Sequence, residues 1–216
     1  IDMADKTKLL LEKAGVKNFG VVSNPEFLVM GKAIYGSIKP DRIVVGAWDE
    51  KDFEIMRQFY QMFYGSPSVK YIEVNPREAA AGKLLANYYL FNKLINCFDV
   101  MGRTCEAFEE LKFENLRNIL SSDSRIGNWG LFDSLVVGGS CLIKDSRSLM
   151  YQLQSKNKNI SLMNETYLAN KRQLDNFVDR AEKEAGFDWQ QKKVAILGLA
   201  FKRDTHDLRG SAAVKI

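Results

Sequence analysis

Apolar and polar positions alternate in two different styles along the chain, and the change of style falls near Asn75-Pro76. Before it, short apolar runs alternate with amphipathic stretches. The spacing predicts a helix over residues 5–14, with Leu9, Leu10 and Leu11 on its buried side and Gly15 ending it. Phe19-Gly20-Val21-Val22 reads as a short strand leading into Ser23-Asn24-Pro25-Glu26-Phe27-Leu28. Lys39-Pro40-Asp41 is a turn before a strand at Arg42-Ile43-Val44-Val45-Gly46. An amphipathic helix over residues 49–63 (Phe53, Met56, Phe59, Tyr60, Phe63) is broken by Gly65-Ser66-Pro67-Ser68, and residues 69–74 return to strand. Strand and helix in alternation make this part an α/β layer.

After Pro76 the period becomes helical and stays so. One long helix is expected from Arg77 to about Glu110, with Leu84, Leu85, Tyr88, Phe91, Leu94, Ile95, Phe98, Met101, Cys105 and Phe108 in register straight through Gly102. At 1.5 Å per residue it is on the order of 50 Å long, more than a small domain buries alone, so it implies a helical core or a dimer interface. A shorter helix covers residues 113–121, and another follows Lys144 through Leu149, Met150 and Leu153. Lys156 to Asn159 is a polar linker. Residues 164–185 are again amphipathic, with Leu168, Leu174, Phe177, Val178 and Ala181 on the apolar side and Gly186 as the residue after the cap. Residues 194–199 (VAILGL) read as a buried strand opening a fresh α/β unit, residues 200–205 as its exit loop, and Ser211 as a helix start. The chain opens on Ile1 and stops at Ile216 just after this new unit begins, which suggests a portion of a longer protein.

Composition changes this picture little. The 216 residues are 46% hydrophobic and 27% charged, ordinary for a globular protein. The formal charge of +4 is spread along the chain, so a nucleic-acid arm is not indicated. No apolar run approaches eighteen residues, and no membrane span or signal peptide is read. Three cysteines without a CxxC pair point to a reducing compartment, and so to the cytoplasm.

The candidate chemistry centres on Gly138-Gly139-Ser140-Cys141, with Lys144 and Asp145 just beyond. Adjacent glycines permit positive φ and close approach of a ligand to the backbone. Such a turn is expected to leave Cys141 on a bend, with a cation and a carboxylate in reach; a thiol beside a lysine ionises readily and becomes a nucleophile. A buried cysteine beside an ordinary turn is the alternative. Pro25 steers Asn24 away from helix, so Glu26 stands where a strand meets a loop or helix start, either as a site acid or as a first-turn carboxylate. Lys83 and Asn87 stack on one helix face, where a buried Lys requires a partner or a function; an exposed first-turn position is equally open. Cys97 and Cys105 fit the core, and His206, the only histidine, fits an exposed loop. No metal-ligand spacing occurs. Neither a G-x-G-x-x-G turn nor a G-x-x-x-x-G-K-[ST] loop is present.

Several segments, in order, resemble the UDP-glucose/GDP-mannose dehydrogenases. They are Asn24-Pro25-Glu26-Phe27-Leu28, Pro40-Asp41-Arg42-Ile43, Lys83 with Asn87, Arg125-Ile126-Gly127, Gly138-Gly139-Ser140-Cys141 with Lys144-Asp145, and Gly198-Leu199-Ala200-Phe201-Lys202 with Asp204-Thr205 and Arg209. The resemblance implies an α/β fold with a central all-helical dimerisation domain built on one long helix, part of a larger Rossmann-type two-domain enzyme. Residues 1–76 would be the end of the NAD-binding domain, 77–187 the central domain with the cysteine loop, and 188–216 the start of a UDP-binding α/β domain. It implies NAD as cofactor, a nucleotide-sugar substrate and a homodimer through the long helix. The reaction would be the four-electron oxidation of UDP-glucose to UDP-glucuronate; GDP-mannose, or a non-catalytic dimerisation module without the NAD domain, are the other readings.

By the same resemblance Cys141 is the nucleophile. Lys83 and Asn87 stabilise oxyanion character, Asp145 moves protons, and Glu26 orients water. Phe27, Leu28, Arg125, Phe132, Gly138 and Lys202 contact substrate, and Lys144 and Arg209 contact NAD. The chain departs from the family pattern at Val29-Met30, Ala80, Val136-Val137, Ile143 and Gly210.

Overall fold

A computed structural model of the chain describes residues 1–64, 69–132, 134–183, 186, 188–190 and 192–216. The expected break at residues 65–68 and the end of the predicted helix at Ala185 lie outside the described residues. Two compact units divide within one helix, at Leu85/Ala86.

The first unit is built on a small parallel sheet. Strand β1 (Arg42–Gly46) and strand β2 (Lys70–Val74) pair in the register Arg42↔Lys70 to Gly46↔Val74. Parallel neighbours need a crossover, and helix α3 (Glu50–Tyr64) supplies it. The Arg57 fork on α3 takes both oxygens of Glu73 on β2, each at 2.6 Å. Ile43, Val45 and Ala47 are buried with Pro76 and Ala79 at the start of helix α4 (Pro76–Ile95). Gly46 lies against that helix start: a Cβ there would stand 2.7 Å from Ala79 Cβ and 2.8 Å from Pro76 Cα. Helix α1 (Met3–Lys13) ends as expected at Gly15, whose φ is 73°. The Gly15 N–H reaches Glu12 O and the Val16 N–H reaches Leu11 O, a Schellman closure. A short helix α2 (Ala33–Ile38) precedes β1.

Three expectations for this unit need correction. Helix α1 buries none of its residues; Leu9 and Leu10 are exposed, because among the described residues nothing covers that face. Phe59 and Phe63 on α3 are exposed as well, while Phe53, Met56 and Tyr60 turn inward. The run at residues 19–22 forms no ladder. Only Ser23 pairs, in an isolated antiparallel bridge with Gly46, since Gly20 is pressed against the Asp52 side chain instead of a neighbouring strand.

The second unit is helical. From Ala86 the helix α4 continues through a π-helical segment, Asn96–Met101, into α5 (Gly102–Ala107). The hydrophobic period had suggested an unbroken α-helix to Glu110. The π segment instead widens one turn, and the chain turns extended at Phe108 (φ −133°, ψ 102°). Helices α6 (Phe113–Ser121), α7 (Cys141–Gln154), α8 (Ser161–Lys183) and the short α9 (Ala212–Lys215) follow. The core gathers Phe91, Leu94, Ile95, Cys97, Phe98, Met101, Leu131, Val137 and Ala169, with Phe113, Leu116 and Leu142 packed against it.

Helix α8 presents a different face from the one its leucines suggested. Leu168 and Phe177 are exposed, whereas Met163, Thr166, Ala169, Asn170 and Gln173 are buried. Hydrogen bonds explain this choice. Asn92 Nδ2 donates to Thr166 Oγ1 at 2.9 Å, Gln173 Nε2 donates to Asp99 Oδ1 at 2.8 Å, and Asn170 bonds the backbone of Val137. A polar stripe fully matched by partners competes with a leucine face for burial. Residues 194–199 are also unlike their expectation: they carry no strand pairing, and Leu197 is 93% exposed, since among the described residues no strand lies beside them. No helix among the described residues is long and apolar enough to cross a membrane.

Replacing Gly46 by Ala forces a methyl group into contact with Pro76 and Ala79. We expect Gly46→Ala to destabilise the protein by about 1–3 kcal/mol, read from the midpoint of urea unfolding.

Candidate active site

In the first unit, the Ser23–Gly46 bridge delivers an irregular segment, residues 24–29. Asn24 is pinned at both ends of its amide: Nδ2 donates to Val44 O at 2.7 Å, and Oδ1 accepts from Tyr60 OH at 2.5 Å. Glu26 therefore lies in a loop rather than in a helical first turn. Its Oε2 accepts the Leu28 N–H at 2.5 Å, and its Oε1 stands 3.7 Å from Lys83 Nζ. Lys83 is half-buried and paired with Glu26. The Phe27 ring has cations over it: the Arg42 guanidinium at 3.9 Å and the Lys83 ammonium at 5.0 Å from its centroid. Stacked cations hold an aromatic ring in place as well as attracting it. Leu28 is exposed beside them.

In the second unit, Asn87 and Asp145 form a buried pair, with Asn87 Nδ2 donating to Asp145 Oδ2 at 2.6 Å. The other carboxylate oxygen of Asp145 receives the Lys144 ammonium in a short ion pair. That hydrogen bond, more than the opposing desolvation, raises the Lys144 pKa; the charge of Cys141 adds in the same direction. A buried carboxylate thus has both oxygens matched.

Cys141 does not sit on a bend, as its glycines had suggested. It is the first residue of α7, one turn before Asp145, and is exposed. Ser140 precedes the helix without a side-chain cap, and its Oγ lies 3.9 Å from Cys141 Sγ. The free amides of a helix N-terminus favour negative charge. The glycine pair does adopt positive φ, at Gly139 (75°). What approaches it closely is the chain itself. A Cβ on Gly138 would lie 2.8 Å from Phe201 Cβ and 2.9 Å from Gly210 O, and one on Gly139 would lie 2.9 Å from the Phe201 ring. The Gly139 N–H donates to Arg209 O at 2.8 Å.

The remaining candidates are surface groups. Arg125 is highly exposed and forks onto Asp123, which raises its pKa. Arg209 is exposed and forks onto Asp207; the carboxyl of Asp207 is held down at about 2 by that hydrogen bond. Lys202 and His206 are exposed in the same loop region, and Phe132 packs edge-on against Trp129. Asp133, inside the stretch expected to line the substrate, lies outside the described residues. Among the described residues no cluster of His, Cys, Asp or Glu could hold a metal ion. Three contributors were missed: Arg42 on Phe27, Phe201 on the glycine pair, and Asn170 on Val137. Only Phe201 carried a signal, as a large side chain opposite two residues that have none.

The matches to known proteins give the class first. Residues 2–64 match the NAD-binding domain of the UDP-glucose/GDP-mannose dehydrogenase family, and residues 77–172 match its central domain. The chain belongs to that family. It is 32% identical over 189 residues to the UDP-glucose 6-dehydrogenase of Pseudomonas aeruginosa, covering 88% of this chain and 41% of the relative. It is 31% identical over 215 residues to UDP-glucose 6-dehydrogenase 4 of Arabidopsis thaliana, covering 97% and 44%. The solved UDP-glucose dehydrogenase of Pyrobaculum islandicum superposes with a TM-score of 0.84 at 30% identity, over 97% of this chain and 47% of that one. The chain thus spans about half the length of the relatives it matches.

Two outcomes follow from this geometry. Iodoacetamide is expected to label exposed Cys141 first and buried Cys97 only on unfolding, as read by mass spectrometry of the native and denatured protein. The Asp207–Arg209 pair depresses a carboxylate pKa from 3.8 to about 2. Its contribution to stability is therefore complete above the ordinary carboxylate range and fades as the pH falls through that window. Asp207→Asn should flatten this part of the acid-unfolding curve without altering stability's pH dependence near neutrality.

Proposed function

We propose that the protein carrying this chain is an NAD-dependent dehydrogenase that takes the C6 alcohol of UDP-glucose to the carboxylate. The observation that carries this reading is the exposed Cys141 at the head of α7, with Asp145 one turn behind it and bonded to both Asn87 and Lys144. The family match and the UDP-glucose 6-dehydrogenase names of its relatives support the substrate. The proposed division remains 1–76, 77–187 and 188–216 for the NAD-binding, central and nucleotide-binding parts.

Lys144 and Arg209 carry the fit to NAD. Both are exposed cations, one in the first turn of α7 and one in the segment tied to Gly139, so an anionic pyrophosphate meets complementary charge there. What the nicotinamide supplies, when bound, is a hydride acceptor for the two oxidations. The chain's residues do the rest. The Cys141 thiolate adds to the C6 aldehyde, forming a carbon–sulfur bond and a thiohemiacetal, so the half-oxidised sugar stays attached. Lys83 and Asn87 donate to the oxygen on that carbon as negative charge builds. Asp145 accepts the hydroxyl proton that each oxidation releases, first from the C6 alcohol and then from the thiohemiacetal. Once the adduct is at the thioester level, water cleaves the carbon–sulfur bond to carboxylate and regenerates the thiol, with Glu26 orienting the water. Phe27, Leu28, Phe132 and Gly138 frame the sugar, and Arg125 and Lys202 contact the nucleotide.

We further place the protein in the cytoplasm, consistent with three cysteines and no CxxC pair in the sequence, and as a homodimer through the long helix. Exposed Tyr89 and Val100 along that helix support the second assignment. Cys141→Ala in the intact protein should reduce UDP-glucuronate formation at least about 1,000-fold, followed by NADH absorbance and product chromatography. Unchanged turnover would remove Cys141 from the mechanism. Light scattering tests the assembly: Tyr89→Glu with Val100→Glu should shift a dimer to monomer, and a monomeric parent would remove the dimer.

A further inference from the structure

The cysteine loop is gripped by a residue that belongs to none of the matched motifs. Asn170, buried in the middle of α8, places both ends of its amide on one backbone residue: the Val137 N–H donates to Asn170 Oδ1 at 2.8 Å, and Asn170 Nδ2 donates to Val137 O at 3.2 Å. Val137 is itself buried and lies in no strand, so the side-chain amide supplies both hydrogen bonds that a neighbouring strand would otherwise provide. An asparagine is a poor helix former and costly to bury unpaired, so a mid-helix buried position has to be satisfied by this loop. Four residues on, the loop becomes the first turn of α7 with Cys141 at its head. Between the two, Gly139 is tied to Arg209 O at 2.8 Å, and both glycines are pressed on Phe201. Asn170 fixes where the loop starts, Arg209 and Phe201 fix its middle, and α7 fixes its end. Every one of these contacts lies within the second unit.

We propose that Asn170 is a positioning residue for Cys141: its two bonds to Val137 set the register of the loop and thereby the place of the thiol. The inference rests on Cys141 being the nucleophile. A displacement of about 1 Å at a reacting atom is enough to cost on the order of 100-fold in rate.

The test uses the intact protein with Asn170→Ala and Asn170→Asp. The comparator is Thr166→Val, on the same buried stripe of α8, which removes the bond from Asn92 and leaves the loop alone. Asn170→Ala should lower kcat for UDP-glucuronate formation about 10- to 100-fold, with KM for UDP-glucose held within about threefold. Amide hydrogen exchange should accelerate over residues 137–141. Asn170→Asp keeps the acceptor for the Val137 N–H and should recover part of kcat; if the alanine variant does not fold, Asn170→Asp against Thr166→Val carries the comparison. Thr166→Val should lose stability while kcat stays within about threefold. Equal kcat losses in the Asn170 and Thr166 variants, or an unchanged kcat in the Asn170 variants, would overturn the assignment. A catalytically silent Cys141→Ala would instead overturn the role of the thiol. In that case the exchange rates at residues 137–141 still show whether Asn170 holds the loop.

Discussion

A carboxylate withdrawn from water must have its oxygens matched, and Asp145 meets that demand with two donors of different kinds. Asn87 comes from the long helix and is itself buried; Lys144 comes from the preceding position on α7 and keeps its stem in solvent. The pairing settles the orientation of α7's first turn against α4. Because Cys141 is in that same turn, the exposed thiol inherits its place from a buried hydrogen bond. Removing Asn87 would leave one carboxylate oxygen buried without a donor, a larger penalty than the bond alone is worth.

The glycine pair before Cys141 has a second physical role. Glycines beside a nucleophile suggest room for a ligand, yet in this fold the space above Gly138 and Gly139 is occupied by Phe201 and Gly210. A side chain at either position would push away the segment that also presents Arg209. Of the two candidate cofactor contacts, Lys144 follows Cys141 in the same turn of α7, and Arg209 comes from far along the chain and is held to the loop by the Gly139 N–H on its carbonyl.

Much of this was legible from the chain alone. The two strands, the helix over residues 113–121, the glycine stop after α1 and the long helix as far as Ile95 all follow from local period and turn chemistry, where side-chain pattern and backbone preference agree. The errors arise where burial depends on a partner. Leu168 and Phe177 lose the buried side of α8 to Thr166, Asn170 and Gln173 because those polar groups find donors and acceptors on α4, the π segment and the cysteine loop. Residues 194–199 have the pattern of a strand but no adjacent strand among the described residues. In the site, the chemistry-bearing residues were visible as types and spacings. The helical setting of Cys141 and the clamp on Val137 were not, since each depends on contacts distant in sequence.

The π segment of the long helix alters the geometry of everything beyond it. A wider turn delays the helix's rotation by the equivalent of one residue, about 100°, so side chains before Asn96 and after Met101 follow different phases. Phe91 and Phe98 reach one core, and Asp99 faces Gln173 on α8. Excising a single residue there would convert the turn to ordinary α-helix and swing α5 about the axis like a key in a lock, unseating the polar stripe while leaving the composition nearly unchanged.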